Sequence, residues 1–470
     1  MYIPHTTEDI EKARRILGIK EIDDIFREIT NREEFFNPKE LGEPLPQQKI
    51  IDYFEKRSNI KRYKYFVGSG AYDHFIPPIV DSLVRSEFLT SYTPYQAEVS
   101  QGVLKIIWDF QSLICEILDQ DVCNSSHYDG ATAAAEAVLM AKRIYSKINE
   151  NANKFLIANS VHPTYLNVIQ TYTSNLNLHP VFIEFDEKGK LNIEKLMENI
   201  NEDVFAVVIQ SPNFFGVIEE DVSAIKNIVG DKITVLITTN PFVYFLIHPS
   251  GGMGAPSPKV DIVAANLQPF GIPLSFGGPY LGVIATRMEH IRNLPGRIIG
   301  QTVDKDGKTA YTMILQTREQ HIRREKATSN ICTNQGLMAI RNTIYLMSMG
   351  KDNLIKIAQK NYTNIRFLMT KINEEKLGKV VFENVFNEAL FYIPNYTKVY
   401  KEIKDKCNVI FGINLSKFKL HKEMIDNLRK AGINHHLDDL AIICTTEKYS
   451  KQEINEVLDI LKEISFQATI

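Results

Sequence analysis

The sequence predicts an α/β protein, with a mostly parallel, doubly wound sheet in a large domain and a smaller α/β domain at the C-terminal end. Two observations lead to this prediction. Between residues 154 and 285, short apolar runs alternate with helical stretches, which is the spacing of strand–helix crossover units. One of these runs, residues 204–209, has no polar face, as expected for a strand that is covered on both sides.

The composition is that of an ordinary globular chain. Its 470 residues are 44% hydrophobic and 24% charged, which excludes both a disordered and a fibrous protein. With 54 Lys and Arg against 57 Asp and Glu, the net charge is −3, so we expect neither nucleic-acid nor membrane-surface binding. No run approaches the roughly 18 apolar residues of a membrane span. The first residues lack the basic and apolar regions of a signal peptide, so we expect a cytoplasmic protein.

Cysteine and histidine patterns do not indicate a disulfide framework or a metal centre. The five cysteines lie far apart and include no C-x-x-C pair, so we expect reduced core thiols. Cys332 has two interpretations, a nucleophile or a buried structural thiol, and the second is the more common. His435 and His436 stand beside two aspartates, but adjacent side chains point apart and no third ligand is evident. We therefore predict no metal site.

The N-terminal residues are predicted to form a helical arm without a core of its own. Thr6 and Asp9 resemble a capping box, and the apolar helical spacing that follows stops near Gly18. A polar stretch punctuated by prolines comes later in the arm. We predict the arm at residues 1–62, the large domain at residues 63–332 and the small domain at residues 333–470.

Within the two domains, apolar periodicity predicts the individual elements. The predicted helices of the large domain are residues 72–88, 100–118, 131–149, 162–173, 193–200 and 221–229. Its predicted strands are residues 154–158, 181–184, 205–210, 234–238, 260–264 and 280–285. In the small domain we predict a helix at 333–347, strands at 388–393, 408–412 and 440–445, and helices at 420–431 and 451–464.

Three polar and aromatic loops at the ends of elements are candidates for the wall of a ligand site: residues 92–96, 211–216 and 266–282. The last contains four glycines, which permit close approach of backbone. In a parallel sheet, loops after the carboxyl ends of strands border the crevice where ligands bind. A tight loop with a purely structural role is the alternative for each. Phosphate-loop, dinucleotide-binding and zincin motifs are absent from the sequence.

Seven stretches of the sequence carry a family resemblance: residues 2–6, 91–102, 128–133, 210–216, 268–282, 296–300 and 315–335. Together they resemble the glycine cleavage system P-protein, glycine dehydrogenase (decarboxylating). The resemblance is strongest to subunit 1, the N-terminal half of the protein in organisms where it is split. Weaker similarity continues to the C-terminus.

This resemblance implies a fold type I pyridoxal-phosphate architecture with a large and a small domain. The reaction of the family is the decarboxylation of glycine, in which the pyridoxal phosphate ring accepts electrons. The remaining aminomethyl group passes to the lipoyl group of the H-protein. The implied partners are the catalytic subunit 2, the lipoylated H-protein and glycine as substrate.

Matching the family's Pro- and Gly-rich run onto residues 268–282 places Gln268 at the position of the Schiff-base lysine. The position of the carboxylate that pairs with the pyridine nitrogen falls on Asn240. A glutamine cannot form a Schiff base, and an asparagine provides no counter-charge. The nearest lysine, Lys259, lies at the other end of the strand. The resemblance therefore implies no catalytic residue and no cofactor on this chain, with pyridoxal phosphate carried by the partner subunit.

In this fold the active site lies at a subunit interface, so the resemblance implies that this chain lends residues to its partner. We expect Thr93, Tyr95 and Gln96 to be lent. Arg318 and Arg323 are weaker candidates for the interface or for an acidic H-protein, since their charged stretch is equally typical of a solvated helix face. Two alternatives remain: a scaffold that never touches substrate, and an autonomous pyridoxal-phosphate aminotransferase or decarboxylase.

Overall fold

The computed structural model describes residues 5–30, 41–58, 63–250 and 259–467. The chain divides into two compact units, Met1–Arg62 and Tyr63–Ile470. No described helix is long and apolar enough to cross a membrane.

The described part of the first unit contains three helices, α1 (Thr7–Leu17), α2 (Asp23–Thr30) and α3 (Gln47–Arg57). The capping box predicted at the start of α1 is present, since the amide of Asp9 donates to Thr6 and the amide of Thr6 donates to Asp9. Gly18 ends α1 in the left-handed conformation. Within the described part of this unit, none of the helical residues is buried.

The second unit contains the remaining elements. Its first helices and strands are β1 (Lys64–Tyr65), α4 (Pro78–Leu83), α5 (Ser86–Leu89), α6 (Gln101–Leu118), β2 (Val122–Cys123), α7 (Gly130–Tyr145), β3 (Lys154–Ala158), α8 (Pro163–Thr173), β4 (His179–Ile183), α9 (Ile193–Asn199), β5 (Val204–Gln210), α10 (Val222–Val229), β6 (Ile233–Thr238), β7 (Ile262–Asn266) and β8 (Gly282–Thr286). The rest are β9 (Ile298–Val303), β10 (Thr309–Ile314), α11 (Gln320–Arg323), α12 (Gly336–Glu374), β11 (Lys379–Val380), β12 (Glu388–Tyr392), α13 (Tyr396–Cys407), β13 (Val409–Ile410), β14 (Ile413–Asn414), α14 (Lys422–Lys430), β15 (Leu440–Cys444) and α15 (Lys451–Gln467).

A seven-stranded sheet in the order β2–β8–β7–β6–β5–β3–β4 forms the centre of this unit. Strands β3 to β7 pair in parallel, and β8 runs antiparallel to both of its neighbours. Every residue of β5 is buried, as its apolar sequence requires. Helix α7 packs on β5 to β8, and its run of small alanines allows this close approach. The predicted α/β class with a mostly parallel sheet is confirmed.

A smaller sheet, β11–β12–β15–β14, forms near the C-terminus and is antiparallel throughout. It has its own hydrophobic core. Phe66 belongs to that core, and β1 pairs with β13, so the chain just after residue 63 packs with C-terminal elements. Helix α12 is kinked at Gly350, which adopts a non-helical conformation.

Some predicted elements differ from the structure. The predicted helix at 72–88 is wrong, since the chain is irregular up to Pro77 and only α4 and α5 follow. A proline disfavours helical conformation in the residue before it, and Pro77 and Pro78 are adjacent. The hairpin of β9 and β10 was not predicted, and the helix predicted at 333–347 extends to Glu374.

Candidate functional site

The carboxyl ends of β6 and β7 lie side by side, and each is followed by a residue singled out in the sequence. Asn240 comes shortly after β6, and Gln268 shortly after β7; each is only 1% exposed. Asn266 links the two strand ends, since its Nδ2 donates to the carbonyl of Thr239 at 3.2 Å. The two positions therefore meet at the edge of the sheet where ligands bind in this class of protein.

The side-chain amide of Gln268 is fully engaged with backbone groups. Its Oε1 accepts a hydrogen bond from the amide of Tyr72 at 2.8 Å. Its Nε2 donates to the carbonyl of Tyr72 at 2.9 Å and to the carbonyl of Ile272 at 2.7 Å. Tyr72 itself is fully buried. Gln268 therefore holds Tyr72 in place at the end of β7.

The segment formed by residues 68–72 continues along the same edge of the sheet. The carbonyl of Ser69 lies 3.0 Å from Nε2 of His162, which follows β3. The carbonyl of Gly70 accepts a hydrogen bond from Nδ2 of Asn266 at 2.9 Å. Residues 68–72, which we call the crevice segment, are therefore hydrogen-bonded along the edge of the sheet that borders the crevice.

The side chain of Tyr72 connects the crevice segment to the C-terminal sheet. Its hydroxyl donates to Oε1 of Glu388, in β12, at 2.6 Å, and lies 3.1 Å from Oγ1 of Thr239. The other carboxyl oxygen of Glu388 accepts from the amide of Ser69 at 2.6 Å. Burial raises the pKa of Glu388 to about 7, and these two hydrogen bonds partly oppose that rise. The segment therefore ties the large sheet to the small one through a buried carboxyl.

Asn240 has a local role in the structure. Its Oδ1 accepts from the amide of Phe242 at 3.2 Å, which caps the turn that follows β6. Its Nδ2 is buried and finds no acceptor among the described residues. As a neutral amide, Asn240 supplies no negative charge to a ligand at the strand ends.

These residues do not fit a pyridoxal phosphate bound to this chain. Covalent attachment of the cofactor needs a lysine amine, and its electron-accepting ring needs a carboxylate partner. The resemblance aligns Gln268 and Asn240 with these two positions, and the side chain of Gln268 is hydrogen-bonded to the backbone of the buried Tyr72. Lys259 is no substitute, because its amine pairs with Asp119 at 2.8 Å and is 42% exposed.

The second predicted region, residues 92–96, lies between α5 and α6. Tyr92 and Tyr95 are 84% and 46% exposed, and Thr93 lines a cavity of about 300 Å³. The hydroxyl of Thr93 and the side-chain amide of Gln96 form no hydrogen bond with another described residue. The ring of Tyr95 packs edge-on against His321 at 5.7 Å between centroids. The loop therefore offers several polar groups at the surface.

Arg297 lies behind this loop and was not predicted as a site residue. It is 8% exposed, and its guanidinium donates to Asn334, to the carbonyl of Cys332 and to the hydroxyl of Tyr95. A sequence signal existed, since Arg297 belongs to one of the stretches that carry the family resemblance. The loop at 92–96 and the chain at 332–334 therefore meet around one buried cation.

The two arginines predicted for partner contact have different surroundings. The guanidinium of Arg318 donates to the carbonyls of Leu315 and Gly296 at 3.2 and 3.0 Å, and burial lowers its pKa. Arg323 is exposed, and its side chain forms no ion pair with another described residue. Arg323 alone of the two presents a free guanidinium at the surface.

Two further expectations can be compared with the structure. Cys332 is exposed, so its prediction as a buried structural thiol is wrong. It lies in irregular chain before α12, and not on the buried side of a helix or strand. The imidazole of His435 stacks on Tyr392, with 3.7 Å between the centroids. Among the described residues, no group of three or more His, Cys, Asp or Glu side chains is placed to hold a metal ion.

Comparison with known proteins gives consistent matches along the whole chain. The sequence family described as "Glycine cleavage system P-protein" matches residues 1–461. The "Probable glycine dehydrogenase (decarboxylating) subunit 1" of Thermotoga petrophila is 36% identical over 465 residues, covering 98% of this chain and 99% of the relative. The protein of the same name in Koribacter versatilis is 40% identical over 427 residues, covering 89% and 93% respectively.

Solved structures give the same picture. The inhibitor-bound glycine decarboxylase (P-protein) of the glycine cleavage system superposes with a TM-score of 0.78 at 30% identity, covering 99% of this chain and 100% of that one. A NifS-like protein superposes with a TM-score of 0.61 at 12% identity, covering 86% of this chain and 100% of that one, which shows a shared fold only.

Proposed function

This chain belongs to the glycine cleavage system P-protein family, and we propose that it is the subunit of that enzyme that carries no catalytic lysine. It acts with a partner subunit that binds pyridoxal phosphate, and together they decarboxylate glycine. The aminomethyl group that remains passes to the lipoyl group of the H-protein. The name "subunit 1" of its relatives supports a partner subunit.

One observation carries the proposal: the side-chain amide of Gln268, which the resemblance aligns with the catalytic lysine, is hydrogen-bonded to both backbone groups of Tyr72. A glutamine at this position offers no amine for covalent attachment of the cofactor. The proposed contribution of this chain to the reaction comes through residues that reach the active site of the partner.

The loop at 92–96 is the proposed contribution. Thr93, Tyr95 and Gln96 offer a hydroxyl, a phenol and an amide, which can hydrogen-bond the carboxylate of a substrate or the phosphate of a cofactor. The exposure of the loop and the unused polar groups of Thr93 and Gln96 support this role. Arg323, with its exposed guanidinium, is proposed to contact the partner or an acidic face of the H-protein. The guanidinium of Arg318 donates to backbone carbonyls of this chain, so we propose that Arg318 stabilises the local structure and does not itself contact the partner or the H-protein.

The test is glycine decarboxylation by the enzyme assembled from this chain and its partner. We expect Thr93→Val and Tyr95→Phe each to lower kcat/KM for glycine by about tenfold, since each removes one hydrogen bond to a charged group. Assembly and the absorbance of the bound cofactor should stay unchanged. Matched controls are Thr171→Val and Tyr362→Phe, exposed residues on α8 and α12, which should keep full activity.

If Thr93→Val and Tyr95→Phe assemble and keep full activity, the lending role is wrong. In that case the alternative of a scaffold that stabilises the partner without touching substrate would be favoured.

A further inference from the structure

We infer that Arg297 is a positioning residue that joins two segments of the chain, residues 92–96 and 332–334, into one surface for the partner subunit. The inference rests on the proposed function, in which residues 92–96 reach the partner. It adds a second lent segment and the residue that holds the two together.

The side chain of Arg297 forms hydrogen bonds with two distant segments of the chain. One terminal nitrogen donates to Oδ1 of Asn334 at 3.1 Å. The other donates to the carbonyl of Cys332 at 3.1 Å and to the hydroxyl of Tyr95 at 3.4 Å. The guanidinium carbon also lies 5.8 Å from the centre of the Tyr95 ring. A single buried side chain therefore contacts both segments.

The backbone beneath Arg297 is fixed. Its carbonyl accepts a hydrogen bond from the amide of Ser125 at 2.8 Å, just after β2. The hydroxyl of Ser125 in turn accepts from Nδ2 of Asn334 at 3.2 Å, and the amide of Gln335 donates to the hydroxyl of Ser126 at 3.1 Å. The backbone of Arg297 and the side chain of Asn334 are therefore both hydrogen-bonded to Ser125, in the chain that follows β2 of the central sheet.

Charge orients the side chain as well. The Nε of Arg297 lies 3.7 Å from Oε2 of Glu319, an attraction beyond hydrogen-bond length. The same carboxyl oxygen lies 3.6 Å from Nδ1 of His321, whose ring packs against Tyr95. Tyr95 is therefore bracketed by two side chains that both face Glu319.

A lysine cannot replace these contacts. The planar guanidinium carries its donors in a rigid fork, and here that fork reaches acceptors on two segments at once. The ammonium of a lysine is one point charge on a flexible stem, and it would hold one segment at most. Because Tyr95 and Cys332 are both exposed while Arg297 is buried, the residue acts from beneath the surface and not as a contact to substrate.

The experiment measures amide hydrogen exchange and glycine decarboxylation in the assembled enzyme with Arg297→Lys. We expect exchange in the peptides covering residues 92–96 and 332–335 to become faster by about tenfold or more, with the rest of the chain unchanged. We also expect kcat/KM for glycine to fall by at least about tenfold, because displaced positioning groups reduce the rate. Arg341→Lys is the control, since that side chain is equally sheltered, at 13% exposed, and bonds a backbone carbonyl and Asp81.

Faster exchange in only one of the two segments, or in neither, would overturn the inference. If Arg297→Lys does not fold, Asn334→Leu removes one acceptor of the guanidinium and should loosen the same two segments. The proposed function fails separately: if Arg297→Lys loosens both segments while Thr93→Val and Tyr95→Phe remain fully active, the joined surface exists but is not lent to the active site.

Discussion

The side chain of Gln268 and the backbone of Tyr72 form a two-bond pair, with the amide of Tyr72 donating at 2.8 Å and its carbonyl accepting at 2.9 Å. The pair fixes the crevice segment at the end of β7, at the residue that the resemblance aligns with the catalytic lysine. The consequences of this contact can be tested.

The first test changes one atom of the pair. In Gln268→Glu, a carboxylate replaces the nitrogen that donates to the carbonyls of Tyr72 and Ile272, so two buried acceptors face a negative charge. We expect the free energy of unfolding to fall by about 2 kcal/mol or more. Urea unfolding followed by circular dichroism measures this, with Gln359→Glu on the exposed face of α12 as control. Equal stability of the two variants would contradict the role of the pair.

The second test places a lysine at position 268. We expect Gln268→Lys, mixed with pyridoxal phosphate and reduced with borohydride, to give no adduct at position 268, because the crevice segment is hydrogen-bonded along the edge of the sheet where the cofactor would enter. The measurement is mass spectrometry of the digested protein. An adduct on residue 268 would show that the crevice is open and that only the amine was missing.

The third test crowds the crevice segment. A Cβ on Gly68 would overlap the carboxylate of Glu388 and lie 2.9 Å from Cβ of Cys444. We expect Gly68→Ala to lower the free energy of unfolding by about 1–3 kcal/mol. In Gly102→Ala a Cβ in the first turn of α6 meets open space, so that variant should be at least as stable as the parent. A neutral Gly68→Ala would mean that the segment can shift away at no cost.

The fourth test uses pH. Folding raises the pKa of Glu388 from 4.5 to about 7, so the folded chain binds its proton more tightly than the unfolded chain. Its contribution to stability is therefore complete below pH 4.5 and is lost as the pH rises to about 7. The change amounts to about 3 kcal/mol. In Glu388→Gln this part of the pH dependence should disappear.

Urea midpoints from about pH 4.5 to about pH 8 measure the difference between Glu388→Gln and the parent. Glu219→Gln is the comparison, since burial raises the pKa of Glu219 to about 8 and its effect should extend to higher pH. If Glu388→Gln and the parent lose stability in parallel over this range, Glu388 is not protonated in the folded chain.

Much of the large sheet could be predicted because each strand is marked by the apolar pattern of its own few residues. The run at 204–209 is apolar on both faces, and β5 is buried at every position. Gln268 and Asn240 were singled out by the family resemblance, and the structure places both at the carboxyl ends of neighbouring parallel strands, β7 and β6.

The contacts of the crevice segment could not be predicted in the same way. Tyr72 meets Gln268 across 196 residues of sequence and Glu388 across 316. The crevice segment is irregular, so no period marks it. Its last residue, Tyr72, was predicted to begin a helix, which Pro77 and Pro78 disfavour. Arg297 was missed for a related reason, because its partners at Tyr95 and Cys332 lie 202 and 35 residues away.

The most direct test of the account locates the cofactor in the assembled enzyme. This chain and its partner subunit are combined with pyridoxal phosphate, reduced with borohydride and digested, and the modified lysine is identified by mass spectrometry. The account predicts a single adduct, on a lysine of the partner subunit. An adduct on a lysine of this chain, formed in the complex or by the chain alone, would contradict it and make this chain an enzyme in its own right.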